Sequence, residues 1–89
     1  VSYSANHVFD YIELTEEYSI YEIPPLSQWT GKTIKELDIR NRYGIHILGT
    51  KVNGKARLMP GASYVICPEE HLMVIGKKED VDRILKALP

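Results

Sequence analysis

Val8 to Leu14 (VFDYIEL) and Tyr18 to Ile23 (YSIYEI) are rich in β-branched and aromatic residues that roughly alternate with polar ones. The polar stretch Thr15-Glu16-Glu17 separates them. This predicts two antiparallel strands joined by a short turn. Pro24-Pro25 ends the second strand, because neither proline can donate to a ladder. Leu26 to Gly31 then reads as a connecting loop carrying the only tryptophan, Trp29. Thr33 and Glu36 have capping-box spacing, which starts a helix. Ile34 and Leu37 share one face of it, but a continuing helix would next bury Asp38 or Asn41. The apolar residues are instead Ile39 and Tyr43, on a different face. That phase slip predicts two short helical pieces, with Asp38 capping the second and Gly44 ending it.

Ile45 to Val52 (IHILGTKV) predicts a third strand, and Asn53-Gly54 a tight hairpin, since both turn positions take positive φ. Lys55 to Met59 returns as the partner strand, and Pro60-Gly61 breaks it. Tyr64-Val65-Ile66 reads as a brief strand and Pro68-Glu69-Glu70 as a turn. Leu72 to Ile75 (LMVI) is nearly continuous in apolar residues, as expected of a strand in the middle of a sheet. Glu79 to Leu88 predicts a helix with Val81, Ile84, Leu85 and Leu88 on one buried stripe. The expected class is α+β: a small sheet of about five strands with two helical segments on one face, in the order ββ-α-βββ-α.

The 89 residues make one domain, and a composition 44% hydrophobic and 26% charged puts it among folded globular chains. With 11 basic and 12 acidic residues there is no cationic excess, which argues against a nucleic acid polymer as partner. The longest apolar runs are four or five residues, against the roughly 20 that a membrane span needs. A single cysteine, Cys67, rules out an internal disulfide framework and fits a reducing cytoplasm. Placed between Ile66 and Pro68, it reads as a small buried apolar residue. Val1 stands where an initiator Met is absent, and no signal-peptide pattern follows, so excision from a longer protein is expected.

No established catalytic motif is present: no GxGxxG, P-loop, GxSxG or HExxH. His7, His46 and His71 are far apart and lack metal-ligand spacing, so neither metal nor cofactor is expected. Glu16-Glu17 and Glu69-Glu70 read as solvated turn charge. The chain is expected not to be an enzyme. A nucleotide hydrolase would need a carboxylate cluster near Arg40, and only Asp38 is close in sequence. The informative stretch is Asp38 to His46, which places Arg40, Arg42, Tyr43 and His46 beside Ile34 and Ile39. Arginine's planar fork suits phosphate oxygens and stacks on flat rings. Aliphatic side chains can sandwich an adenine, and Asp38 can accept from an exocyclic amine, so this segment is able to hold a small nucleotide. Ordinary surface charge and a helix cap are the plainer account of the same residues.

At this segment the chain resembles the C-terminal regulatory domain of RCK proteins, the TrkA-C family, in its KtrA-like branch of potassium uptake subunits. The resemblance rests on Asp10-Tyr11-Ile12-Glu13-Leu14, Glu17 to Ile23, Gly31 to Arg40, Tyr43-Gly44-Ile45 and Leu72 to Lys77, in that order and spacing. It implies that residues 8–89 are the regulatory domain and that residues 1–7 are a linker from a preceding nucleotide-binding domain. It implies a cytoplasmic homodimer that binds cyclic di-AMP at its two-fold axis and acts on a membrane-embedded potassium transporter subunit. Ile34 and Ile39 would then lie against adenine, Asp38 would read the base edge and Arg40 would face phosphate. Position 46 would approach the phosphates from the other side and Pro60 would close over a base, with Lys35, Arg42 and Tyr43 around them. Two positions depart from the family pattern: Lys35 replaces an apolar residue and His46 an asparagine. The turn Glu70-His71 also replaces a usual Gly-Asp. The other reading within the resemblance is a dimerisation and coupling module of another cation transporter or antiporter, with a different ligand or none.

Overall fold

The structure, a computed structural model, describes residues 8–88. The expected linker at 1–7, with His7, lies outside the described residues. Strands β1 (Asp10–Glu13) and β2 (Tyr18–Ile23) form the first hairpin. The Thr15 hydroxyl accepts from the backbone N–H groups of Glu17 and Tyr18 and holds its turn. The segment after Pro24-Pro25 includes a 3-10 turn at Ser27–Trp29 that buries the indole. Helices α1 (Ile34–Leu37) and α2 (Ile39–Tyr43) follow, separated by Asp38 in the left-handed region (φ 49°). Gly44, also left-handed at φ 76°, releases the chain into β3 (His46–Val52). Asn53 and Gly54 both take positive φ and turn β3 back into β4 (Lys55–Leu58). Strand β5 (His71–Lys77) runs directly into α3 (Lys78–Lys86).

The sheet is antiparallel throughout, in the order β1-β2-β5-β3-β4, so the LMVI strand is central as its composition predicts. Tyr21, Ile23, Ile47, Leu72 and Val74 point to one face. There they meet Trp29, Leu37, Ile39, Val81, Ile84 and Leu85 from the helical segments, in one core. All helical segments therefore pack on the same face, giving the expected α+β architecture.

Several local expectations are corrected. Val65 forms only an isolated bridge to Thr33 and adds no strand to the sheet, because residues 61–70 are tied to α1 instead. Cys67 is exposed, and its neighbour Ile66 is the residue that enters the core. Glu70, expected as solvated turn charge, is 1% exposed and is hydrogen-bonded inside the fold. Leu88 lies past the end of α3 and is half-buried rather than part of its stripe. Asp38 occupies the first-cap position of α2 but makes no side-chain cap bond, because its left-handed backbone turns the carboxylate away from the α2 amides.

Candidate ligand-binding site

Thr33 and Glu36 close a reciprocal capping box. Thr33 N–H donates to Glu36 Oε1 at 2.9 Å, and Glu36 N–H donates to Thr33 Oγ at 3.0 Å. The Thr33 backbone N–H, followed by its hydroxyl, holds the Glu36 carboxyl below the usual glutamate range. Two bonds then lay the loop after β4 against α1: Ile34 N–H donates to Tyr64 O (3.1 Å) and Lys35 N–H to Ala62 O (2.9 Å). Met59 N–H donates to Leu48 O at the start of that loop, so Pro60 sits between the sheet edge and α1.

Asp38 decides what the helices expose. Leu37 and Ile39, two positions apart, are 4% and 3% exposed. A continuous helix would put them on nearly opposite sides. The left-handed residue between them breaks the helix phase, so both reach the core while Asp38 itself stays exposed. Its Oδ1 accepts from Asn41 Nδ2 at 2.9 Å, and Oδ2 has no bond among the described residues. Arg40, two positions on, is exposed and its guanidinium is unpaired among the described residues.

The residues singled out in the sequence thus fall into separate places. Ile34 is half-buried and packed against the core, Lys35, Asp38 and Arg40 are exposed along α1, the break and α2, and Pro60 is half-buried in the loop that is bonded to Ile34 and Lys35. Ile39 is taken into the core and offers almost no surface. Arg42 and Tyr43 line a hollow of about 230 Å³ together with Gln28, Asp80 and Arg83, on the α3 side. Tyr43 also meets Trp29 edge-on, with ring centroids 5.1 Å apart, and Arg42 lies over its ring. His46 is exposed at the start of β3, on the sheet face opposite the helices, beside Ile75. A hollow of about 620 Å³ lies elsewhere, lined by Thr50, Asn53, Lys55, Arg57 and Tyr64.

Tyr64, read in the sequence only as part of a brief strand, and Glu70, read only as turn charge, together fix this end of the fold. The Tyr64 hydroxyl and the Cys67 N–H (2.8 Å) both donate to the Glu70 carboxylate. This pins the segment whose carbonyls hold α1. Burial, and then the bond to Glu70, push the Tyr64 hydroxyl above its ordinary value, with a smaller opposing effect from Thr50. No sequence signal marks a glutamate in a Pro-Glu-Glu turn as buried. No group of three or more His, Cys, Asp or Glu side chains among the described residues could hold a metal ion.

The sequence pattern of the TrkA-C domain matches residues 18–88. The chain belongs to the TrkA-C domain family. This TrkA-C domain is 43% identical over 82 residues to Ktr system potassium uptake protein C of Bacillus subtilis (strain 168). That alignment covers 92% of the chain but only 37% of the relative's length. Among solved structures, the RCK C domain of the potassium transport protein KtrA in complex with cyclic di-AMP superposes with a TM-score of 0.71 at 30% identity. It covers 82% of this chain and 86% of that one. The RCK_C domain dimer of S. agalactiae BusR in complex with c-di-AMP matches with a TM-score of 0.67 at 28% identity, covering 76% and 86%. No helix among the described residues is long and apolar enough to cross a membrane.

Proposed function

We propose that this TrkA-C domain is the ligand-sensing domain of a cytoplasmic gating subunit, binding cyclic di-AMP at a homodimer interface to control potassium uptake. The observation that carries the reading is the exposed pair Asp38 and Arg40 at a left-handed helix break. The chain bearing it is 30% identical to an RCK C domain solved with that nucleotide. Asp38 Oδ2 is available to accept from an exocyclic amine, and Arg40 to meet a phosphate. A two-fold symmetric ligand suits two identical half-sites, one from each subunit. Bound between subunits, the nucleotide shifts the dimer geometry only as far as it prefers one arrangement. The preceding domain and the membrane-embedded transporter would read that shift, and the role is regulatory rather than catalytic.

One observation favours the second reading, a dimerisation and coupling module with another ligand or none. Ile39 is buried in the core, and Lys35 is charged, so Ile34 alone supplies the aliphatic cover for a base. Calorimetric titration of the folded domain with cyclic di-AMP separates the two readings. Saturable heat at micromolar nucleotide, abolished in Arg40→Glu at unchanged melting temperature, supports the sensor. A folded domain giving no heat rejects it.

A further inference from the structure

The β3–β4 hairpin forms one side of the hollow of about 620 Å³. Thr50 pairs with Arg57 and Val52 with Lys55, so all four side chains stand on one face of the hairpin. Thr50 pairs on its other side with the core residue Leu72 and is 3% exposed, which makes this the helix side of the sheet. Asn53 stands at the turn, and Tyr64 comes from the loop that is bonded to α1. Lys55 and Arg57 are exposed, and neither forms an ion pair among the described residues. No acidic side chain among the described residues lines the hollow. Strand β4 is a sheet edge, where charge commonly serves only to keep other strands away. That role asks nothing of the groups around the charge. Here the two cations share a hollow with a buried hydroxyl, an amide and an aromatic ring.

We propose that this hollow is a binding site for a small phosphate ester carrying at least two negative charges. It shares no residue with the site proposed for cyclic di-AMP and does not rest on that reading. Lys55 and Arg57 lie two residues apart on β4, about 7 Å along the strand, and their long side chains can converge on one phosphate group. Arg57 supplies a planar fork for two phosphate oxygens and Lys55 a mobile point charge. The Asn53 amide at the turn adds a neutral donor. The floor is already satisfied within the chain: Thr50 bonds to the Tyr64 oxygen, and the Tyr64 proton goes to Glu70. Glu70 is held by Tyr64 and the Cys67 N–H and does not line the hollow, so no carboxylate opposes an anion there. Val52 and the Tyr64 ring give an apolar wall for the carbon part of the ligand. Small-molecule sites run from about 300 to 1,000 Å³ and combine such walls with a few placed polar groups. A volume of about 620 Å³ is more than a lone phosphate fills.

The test is titration of the 89-residue chain with ribose 5-phosphate, and separately with inorganic pyrophosphate, followed by amide chemical shifts in low-salt buffer. Ribose 5-phosphate is expected to saturate the wild type below ~1 mM, and to bind more weakly as salt is raised. The shifted amides are expected to cluster at Thr50, Asn53, Lys55, Arg57 and Tyr64. Arg57→Gln removes a charge-assisted contact and is expected to weaken binding about tenfold or more. Lys55→Gln is expected to weaken it severalfold. Both positions are exposed, so both variants are expected to keep the wild-type melting temperature. Arg40→Glu is expected to bind ribose 5-phosphate as the wild type does, so loss of cyclic di-AMP binding leaves this site standing. A wild type that does not saturate, or binding that survives the double variant of Lys55→Gln and Arg57→Gln, overturns the proposal. Pyrophosphate binding as tightly as the ester or more so overturns the role given to Val52 and the Tyr64 ring, and assigns the hollow to an inorganic diphosphate.

Discussion

The hydroxyl of Tyr64 donates its proton to the carboxylate of Glu70, a side chain 1% exposed. Glu70 Oε2 simultaneously accepts from the Cys67 N–H. Removing the acid in Glu70→Ala takes the shared acceptor from both donors, and the loss is expected to be roughly 1–3 kcal/mol. Tyr64→Phe removes one donor and leaves the Cys67 bond intact, so it is expected to cost less, about 1 kcal/mol. In a double-mutant cycle read by urea denaturation the two losses should not add, because the substitutions share one bond. Additive losses would mean that the pair is not coupled in solution.

The same pair gives the domain an alkaline limit. The folded state raises the Tyr64 hydroxyl above the usual tyrosine value of about 10, chiefly by burial and then by its bond to Glu70. A raised value favours the protonated form in the folded state. The stability it contributes is therefore complete below the unfolded value and is lost as pH rises through the folded one. Urea midpoints measured from pH 9 to 11.5 should fall more steeply in the wild type than in Tyr64→Phe.

At the other end of the pH scale the capping box contributes. Glu36 is held below the usual glutamate range by the Thr33 N–H and then the Thr33 hydroxyl. A lowered value favours the ionised form in the folded state, so its stabilisation is present above the unfolded value of about 4.3 and fades as pH falls through the folded one. Thr33→Ala removes a cap bond and is expected to cost about 1 kcal/mol at neutral pH. Its acid unfolding curve should also lose part of the wild-type slope below pH 4.5. A parallel curve would assign the Glu36 shift to something other than the cap.

Most of the architecture was legible in local pattern. Alternation placed β1 and β2, Asn53-Gly54 marked the hairpin, and the slip between Leu37 and Ile39 marked the break at Asp38. These features are written in residues close in sequence. What stayed hidden depends on residues brought together by the tertiary fold. Cys67 and Glu70 exchange their expected environments because residues 61–70 are anchored to α1, a packing that no neighbouring residue announces. The candidate site was legible as a residue set but not as a surface. Spacing alone put Ile39 and Arg42 with Asp38 and Arg40, whereas the helix break sends Ile39 to the core and α2 turns Arg42 toward α3.

Gly76 stands where β5 passes beneath α3. A Cβ there would lie 2.6 Å from Ile45 Cγ2 and 3.5 Å from Val81 Cγ2. Ile45 and Val81 are 1% and 0% exposed and have nowhere to retreat. Gly76→Ala is therefore expected to cost roughly 1–3 kcal/mol by overpacking, against the usual gain from replacing glycine. Gly61, with open space around its Cβ position, is the control whose alanine variant should melt within a degree or two of wild type. Equal melting temperatures for both variants would contradict the close approach at β5.

Asp38 sets stability against the proposed function. Left-handed backbone costs an ordinary residue about 1–2 kcal/mol, and aspartate somewhat less because its short side chain bonds locally. Asp38 makes such a local bond, from Asn41. Asp38→Gly removes the steric cost and should leave stability unchanged or raise it by up to about 1 kcal/mol. Asp38→Ala keeps the Cβ and loses the local bond, so it should destabilise by about 1 kcal/mol. If Oδ2 reads the adenine edge, both variants lose cyclic di-AMP affinity to the same extent while their stabilities move apart. The check is calorimetric titration of each variant beside its denaturation curve. Affinity that instead tracks stability would make Asp38 a hinge for Arg40 and not a reader of the base.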